Sequence, residues 1–463
     1  MSLFDKLLNK GAKGLWEDVD ISLPMARAIN DWLNLFYNCP SYLTNSVRLS
    51  GLPVIISGFI AILATNELEV NCGNSARAEY IQEKLSVALN KIQSTVQLAA
   101  AGGQVVIRPY VEDGQIHFDI VQAGRLFPTR FGADGRIMAG FFTDYKTIRD
   151  KDYVRLEHFD CKNHILTIRN EAYRCEGDLL KNRVHLSTVE EWADLSEEVT
   201  IENMDKPLFG VIRTPFANTV DDTSPLPVSI YANALDSIQE FDLVYSEFLY
   251  ELHSGKRKKI VERQAIIPDS RRSLLPGGVP IGLGYKDMTT DTYIVLDPEE
   301  QSKPFDDYSP AMRTAGYLDG LKLILRMVEN QCHLSPGTFA IDERTGAITA
   351  TQVISEDRTT YNTCSTLQND GIKQGLIDVI DACDALCDLY SLAPIGEVET
   401  SITFGDSIFE DTAQEFSRRY QMVQGGYLKP EKLLGWYFHV DDETAAAEYL
   451  ADQSQTVDLF GGM

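Results

Sequence analysis

The sequence has 463 residues, of which 44% are hydrophobic and 24% are charged, and it contains no low-complexity tract. This length allows a sizeable core and more than one domain, and the composition argues against disorder. The chain carries 42 Lys and Arg against 68 Asp and Glu, which gives a formal net charge of −26. A surface this acidic repels phosphate backbones and anionic membranes, so a conventional DNA-binding domain is not expected.

The longest apolar run, from Leu52 to Ala64, is shorter than the roughly 20 residues that a membrane helix needs. Pro53, Ser57 and Gly58 interrupt it, and we therefore expect a buried element rather than a membrane span. The first twenty residues lack the apolar core and the cleavage site of a signal peptide, so nothing in them directs export.

Eight cysteines are scattered along the chain, with neither a CxxC pair nor a matching Cys/His spacing. The sequence therefore predicts free, buried thiols and neither a metal nor another cofactor. Cys383 and Cys387 lie one helical turn apart on an apolar face, where cysteine behaves as a small hydrophobic residue.

The first quarter of the chain is predicted to be helical. In the segment 75–103, apolar residues recur at three- and four-residue steps, which predicts one helix that ends at a Gly-Gly pair. From Gln104 to about Arg174 the pattern becomes alternation, punctuated by turn signals such as Asp113-Gly114. This pattern predicts an antiparallel meander.

Two long helices are predicted on either side of a short stretch rich in Gly and Pro. One amphipathic helix follows the entry SPLPVS and ends near Gly255. The other runs from about Ser309 to Gln331, and Ser309 and Pro310 fit its N-cap and its first position. Strands are predicted between the helices at KKIVERQAII and TYIVLD. The two helices can lie antiparallel as a stalk that carries this small module at its tip.

A periodic stretch without proline runs from Thr349 to Tyr390. It predicts one long helix, or two pieces joined where Gly371 and Gly375 make a bend cheap. Two interpretations stay open for another face of this helix: a solvated surface, or a face turned toward a channel. That face carries an acidic stripe of four residues, Asp378, Asp381, Asp384 and Asp388.

The end of the chain returns to shorter elements. The segment ETSITFGDSIFED alternates again, and residues 411–453 are predicted to form short helices before the C-terminal tail.

Motifs of catalysis and nucleotide binding are missing from the sequence. We find no Walker loop, GxSxG elbow, HExxH or EF-hand loop, and none of the seven His belongs to a metal-like pair. The Gly-rich LLPGGVPIGLGY lacks the strand-then-helix frame of a phosphate cradle and is interpreted as a turn or loop. The chain is thus predicted not to be an enzyme, and a carboxylate-dependent hydrolase is the alternative.

One basic cluster follows the first long helix, and it has two interpretations. Its cations complement the negative end of that helix, or they contact a phosphate or an acidic partner. The cluster consists of Lys256, Arg257, Lys258 and Lys259.

Three segments together resemble the portal proteins of tailed bacteriophages, in particular the branch common in phages of Gram-positive hosts. They occur in the family's order: LFGVIRTPFANTVDDTSPLPVSIYANALDSIQEFD, GAITATQVISEDRTTYNTCSTLQNDGIKQGL and ITFGDSIFED. The chain departs from the family pattern at Pro227, where relatives often have Gly, and at Gln352, which replaces the Glu of TATEV. A role for that Glu is therefore not transferred to this chain.

The resemblance implies an α+β portal fold. Its parts are a wing of mixed helices and antiparallel strands, a two-helix stem, a small α/β clip, a long kinked helix and a helical crown. The implied bounds are 1–225 for the N-terminal part of the wing, 226–255 for the first stem helix, 256–308 for the clip, 309–332 for the second stem helix, 333–350 for the tunnel loop, 351–405 for the kinked helix with the C-terminal part of the wing, and 406–463 for the crown and tail.

The resemblance also implies a ring, usually of twelve subunits, at one capsid vertex of the virion, assembled in the host cytoplasm. Double-stranded DNA is packaged and ejected through such a ring. The implied partners are further copies of the chain, the terminase large subunit, a head–tail adaptor or neck protein, the major capsid and scaffolding proteins, and the DNA, with no membrane. Another structural or minor capsid protein of a phage head is the alternative.

By the same resemblance, residues from about 333 to 350 correspond to the tunnel loop at the narrowest part of the channel. A mostly acidic wall lets a duplex slide, because every Lys or Arg that neutralises a phosphate strengthens the grip. Sparse groups at the constriction then make brief phosphate contacts. The candidate channel residues are Asp342, Glu343, Arg344, Thr345 and Gly346.

Overall fold

The computed structural model describes residues 19–176, 179–254, 258–262, 293–296, 305–308, 313–339, 358–405 and 412–438. Helices and antiparallel strands alternate in long blocks rather than in βαβ units, which gives an α+β fold, as predicted. In chain order the helices are α1 Leu23–Phe36, α2 Leu52–Ala64, α3 Ala76–Leu89, α4 Ile92–Gly102, α5 Leu235–Ser254, α6 Thr314–Gln331, α7 Arg358–Thr366, α8 Lys373–Tyr390, α9 Thr412–Gln424 and α10 Pro430–Phe438.

The strands of the described residues form four sheets, and their pairs are antiparallel except for β11 with β12. In chain order they are β1 Glu69–Asn71, β2 Gln104–Glu112, β3 Gln115–Gln122, β4 Leu126–Phe131, β5 Ile137–Ile148, β6 Lys151–Lys162, β7 Ile165–Glu176, β8 Leu179–Val184, β9 Glu198–Glu202, β10 Gly210–Arg213, β11 Lys258–Glu262, β12 Tyr293–Leu296, β13 Phe305–Tyr308 and β14 Ser401–Thr403. The sheet orders are β10-β2-β3, β4-β5-β6-β7-β8 with β9 also on β7, β12-β11-β13, and β1-β14.

The predicted meander from residue 104 to 174 is antiparallel, but it is divided between two sheets. A single 3₁₀ turn at Ala123–Arg125 follows β3, and the chain then starts the larger sheet with β4. The strand that returns to β2 is β10, about a hundred residues later, with Ile212 opposite Val105. Local alternation predicts strands but contains no information about this long-range pairing.

The segment 75–103 forms two helices rather than the one predicted. Ser75 caps α3 by accepting a hydrogen bond from the Ala78 N–H at 3.0 Å, and α3 ends where the Asn90 N–H returns to the Ser86 carbonyl. Lys91 then leaves the helical path before α4 begins. Both helices turn their apolar faces to the same core, so the periodicity continues across the break and hides it.

Helix α2 is the predicted buried element. Its apolar run is buried on most of the surface, for example at Leu52, Ile56 and Ile60, while Ile55 and Ile62 are about half exposed. Within the described residues, no helix combines the length and the apolar character that crossing a membrane requires.

The main core lies between α1 to α4, the small sheet of β2 and β10, and the helices α5, α6 and α8. Trp32 and Tyr231 are fully buried there, and the Tyr231 hydroxyl donates to the Trp32 carbonyl at 3.0 Å. All eight cysteines are free thiols, as predicted, and seven of them are buried; Cys39 is exposed.

Both long helices start later than predicted. The first begins at Leu235 rather than near residue 226, because the chain before it is fixed to α4 in another conformation: the Ile230 N–H donates to the Ala100 carbonyl at 3.0 Å. The second begins at Thr314 with Arg313 as its N-cap, and the predicted cap at Ser309 and Pro310 lies outside the described residues.

The last long helix is described from Arg358 onward, where one π-helical turn at Leu367–Ile372 joins α7 to α8. Gly371 lies in this turn and Gly375 lies in α8. A Cβ on Gly371 would lie 2.2 Å from the Arg213 carbonyl oxygen. The glycines therefore allow the helix backbone to pack directly against β10. The sequence did not reveal that these two positions require glycine for this reason. The predicted start of this helix at Thr349 lies outside the described residues.

Candidate functional site

Helices α5 and α6 form an antiparallel pair. Near one end, Arg313 donates from Nη2 to Glu251 Oε2 at 3.1 Å, and one turn further the rings of Phe248 and Tyr317 are 6.1 Å apart between centroids. The buried faces carry Ile238, Phe241, Leu321, Leu325 and Val328. The two helices therefore lie antiparallel, as expected from the sequence, and their role as a stalk stays a prediction.

The predicted strands between these helices are present at Lys258–Glu262 and Tyr293–Leu296, and a third follows at Phe305–Tyr308. Two members of the basic cluster, Lys258 and Lys259, begin β11 opposite Tyr308 and Asp307 of β13. They therefore belong to a strand rather than to the last turn of α5. The other two members, Lys256 and Arg257, lie outside the described residues.

The predicted tunnel loop is described only at its base, because its candidate channel residues 342–346 lie outside the described residues. The chain is described up to Phe339 and again from Arg358. The two ends of this segment are joined by a reciprocal pair of hydrogen bonds: the Ser335 N–H donates to Thr360 Oγ1 at 2.9 Å, and the Thr360 N–H donates to Ser335 Oγ at 3.2 Å. The loop base is thus closed by bonds that are themselves buried.

A buried carboxylate binds the residues at the end of the loop base that precedes the loop. Glu329, in the last turns of α6, is 1% exposed and accepts hydrogen bonds from the backbone N–H groups of Gly337 and Phe339, each at 2.7 Å. Bonds of this kind, from N–H groups to a charged oxygen, are stronger than those between neutral groups. The Phe339 ring also packs edge-on against Phe59 at 5.5 Å, which ties the same segment to α2.

The carboxylates of the acidic stripe are paired within the chain. At one end of the stripe, Arg77 donates from Nη1 to Asp384 at 3.0 Å and to Asp388 at 2.6 Å, and from Nε to the Pro394 carbonyl at 2.9 Å. Burial alone would lower the pKa of the Arg77 guanidinium, but the hydrogen bonds and charges of Asp388 and Asp384 outweigh it and raise that pKa. The stripe here holds the first turn of α3 against the end of α8.

At the other end of the stripe, Asp378 accepts from Arg136 and from Lys206, both at 3.1 Å, and Asp381 accepts from Lys206 at 2.9 Å. Burial lowers the pKa of the Lys206 ammonium, but its bonds to Asp381 and Asp378 raise that pKa more strongly. Asp378 is only 15% exposed at its side chain. All four aspartates therefore contact basic residues from the N-terminal half of the chain, an arrangement that neither interpretation of the stripe included.

The described residues contain no group of three or more His, Cys, Asp or Glu that could hold a metal ion.

Comparison with known families matches residues 63–458 to the family described as phage portal protein, SPP1 Gp6-like. The chain belongs to this phage portal protein family. Membership confirms the resemblance found in the sequence, and it places the protein among structural components of phage particles rather than among enzymes. No curated protein matches the sequence.

Among solved structures, the portal chain is similar to a chain of the neck of a native GTA particle computed with C12 symmetry. The TM-score is 0.36 and the identity 11%, over 90% of this chain and 94% of that one. A similarity at this level carries no argument about the portal chain.

Sequence reasoning missed the residues that hold these sites together. Arg77 and Lys206 are separated from the stripe by about 170 residues or more, so no local spacing reveals them. Glu329 did leave a signal: it adjoins Val328 on a helix whose apolar stripe also includes Leu325, a position where an ordinary surface acid is not expected.

Proposed function

We propose that the protein forms a closed ring of twelve subunits at one capsid vertex and serves as the conduit through which double-stranded DNA is packaged and ejected. The observation that carries this proposal is the match to the portal family over residues 63–458. The antiparallel pair of α5 and α6 would form the stem, and the sheet of β11, β12 and β13 would be part of the clip.

The geometry of the loop base supports a role in the channel for the segment that follows Phe339. A loop that lines a channel must keep its place while DNA moves past it, and the bonds of Ser335, Thr360 and Glu329 hold both of its ends. We propose that residues 342–346 line the narrowest part of the channel on this base.

The outward face of α6 supports contact between subunits, because a closed ring requires two different faces that fit each other. On that face Leu323 is 63% exposed and Met327 is 48% exposed. No described atom lies within 4 Å of the position of a Cβ on Gly316, two turns before Leu323, so another helix has room to approach closely.

Charge complementarity identifies the surface that this face would meet. Helix α5 contains no Lys or Arg and exposes Asp236, Glu240 and Glu247, whereas α6 exposes Arg326 beside Leu323. The antiparallel register set by Glu251 with Arg313 places Arg326 level with residues 238 and 239, between two of these acids. If the ring axis runs parallel to the helices, rotation about it leaves the height of every residue unchanged, so Arg326 of one subunit lies level with residues 238 and 239 of the next. We propose that α6 of one subunit packs against α5 of the next.

The remaining parts of the proposal concern partners. The clip would dock the terminase large subunit during packaging and a head–tail adaptor or neck protein afterwards, and the wing would face the major capsid and scaffolding proteins. Such a ring resides in the virion and assembles in the host cytoplasm. The acidic stripe would add little negative charge near the channel, because Arg77, Arg136 and Lys206 neutralise most of the charge of its four aspartates.

Electron microscopy of the purified protein tests the proposal. Annular particles with a central hole are expected, and a population of compact monomers at micromolar concentration would contradict it.

A further inference from the structure

A cleft of about 320 Å³ lies between the β4–β5 turn, the segment that leads into β10, and the π turn with the start of α8. Its walls are apolar at Met138, Phe209 and Val211, and polar at Arg136, Arg213 and Asp370. A cleft of this kind, apolar with a few converging polar groups, is a typical place for a ligand.

Arg213 differs from the other arginines that have little exposed surface. Arg77, Arg108 and Arg155 each pair with two carboxylates within 4.0 Å. Arg213 pairs with none in the described part of the chain, and its one hydrogen bond runs from Nη1 to the Gly135 carbonyl at 3.0 Å. A guanidinium taken partly out of water without a counter-ion costs free energy that an anion would recover.

Arg213 lines the cleft and has donors that are not used within the described part of the chain. Its Nε and Nη2 atoms have no hydrogen-bond partner among the described residues, and they are not among the buried unpaired atoms of the structure. Burial lowers the pKa of this guanidinium, and the charge of Arg136 lowers it further, against a partial offset from Asp134 and Asp378. The protein surroundings of Arg213 therefore destabilise its charged form.

We propose that this cleft binds a carboxylate, which the fork of Arg213 holds by two hydrogen bonds while Met138 and Phe209 contact an apolar group attached to it. The planar guanidinium matches the two oxygens of a carboxylate. Three aspartates around the cleft, at positions 134, 370 and 378, repel a phosphate dianion more than a monoanion. At about 30 Å³ per water, the volume holds a ligand the size of roughly ten waters, which suits a carboxylate on a benzyl-sized group.

Two sources supply this chemistry: an acidic side chain of a neighbouring copy of this chain, or a free organic acid. The site itself needs neither a ring nor DNA, so it can be tested on the purified protein whatever its oligomeric state.

Titration calorimetry with 3-phenylpropionate and its uncharged amide tests the proposal. We expect saturable binding of the acid, and binding of the amide that is at least about tenfold weaker, because only the acid makes charge-assisted hydrogen bonds. Arg213→Gln should weaken binding of the acid by a similar factor. Arg169→Gln, which removes an exposed arginine on β7, is the matched control and should leave it unchanged.

Equal binding of acid and amide, no saturable binding of the acid, or unchanged binding to Arg213→Gln would overturn the proposal. If Arg213→Gln does not fold, as judged by circular dichroism, the comparison of acid with amide on the wild-type protein decides alone. Saturating 3-phenylpropionate added to preformed oligomers then separates the sources: dissociation identifies an acidic side chain of a neighbouring copy, and intact oligomers identify a ligand from elsewhere.

Discussion

Glu329→Gln tests whether the buried carboxylate fixes the loop base. The glutamate accepts one backbone N–H on each oxygen, from Gly337 and Phe339, at 2.7 Å. The amide keeps one acceptor and turns an NH₂ group toward the other N–H. One charge-assisted bond is lost and one buried N–H is left unpaired, so we expect about 2–4 kcal/mol of local destabilisation.

Hydrogen exchange of the segment 333–339, followed by mass spectrometry, measures this effect. Because about 1.4 kcal/mol corresponds to a factor of ten, the amides of Gly337 and Phe339 should exchange roughly 30 to 1000 times faster in the variant. Asp319→Asn makes the same chemical change at an exposed position of α6 and should leave this exchange unaltered. Exchange within about threefold of the wild type, or an equal rise in the control, would refute the role assigned to Glu329.

Three further predictions concern assembly and pH. Arg326→Glu should reduce the ring fraction in size-exclusion chromatography at least severalfold, and adding Glu240→Lys to this variant should restore it. Arg169→Glu, on β7, is the control and should leave the ring fraction unchanged. If Glu240→Lys does not restore the rings, the proposed contact of α6 with α5 is wrong. Rings of chains at −26 repel themselves, so added salt or divalent cations should strengthen assembly, and an oligomer unchanged from low to high salt would contradict this. Burial alone would raise the pKa of Glu157, but Arg108 and Arg155 outweigh burial and hold that pKa below its ordinary value of 4.5. The contribution of Glu157 to stability is therefore present at neutral pH and is lost as the pH falls through the pKa of the folded state. Glu157→Gln should therefore cost about 3 kcal/mol at pH 7 and flatten the loss of stability below about pH 4.5, as measured by urea unfolding; an unchanged acid limb would count against the pairing.

Hydrophobic periodicity predicted an element correctly where a single helix or strand packs one face on the core. The run from Leu52 to Ala64 and the apolar stripe of α6 each place one face on the core, and each is a helix in the structure. The break at Asn90 and Lys91 was missed because two helices share that core and keep the same period. The late start of α5 was missed because tertiary bonds to Ala100 override the local helical pattern.

The sites were harder to predict than the elements, because their partners are distant in the sequence. The aspartates of the stripe follow from helical spacing, but Arg77 and Lys206 do not. The same holds for Arg213, which is ordinary in sequence and becomes unusual only when its neighbours are known. The glycines at 371 and 375 were recognised as special positions, yet the reason, close approach to β10, required the packed structure.

The central claim is that this portal protein works as a ring around DNA, and the mass of the particle tests it most directly. Native mass spectrometry of the purified protein, with electron microscopy of the same sample, should give one dominant closed oligomer near twelve times 51.8 kDa with a hole along its axis. A sample that stays at the mass of one chain at micromolar concentration and at raised salt, without annular particles, would contradict the account.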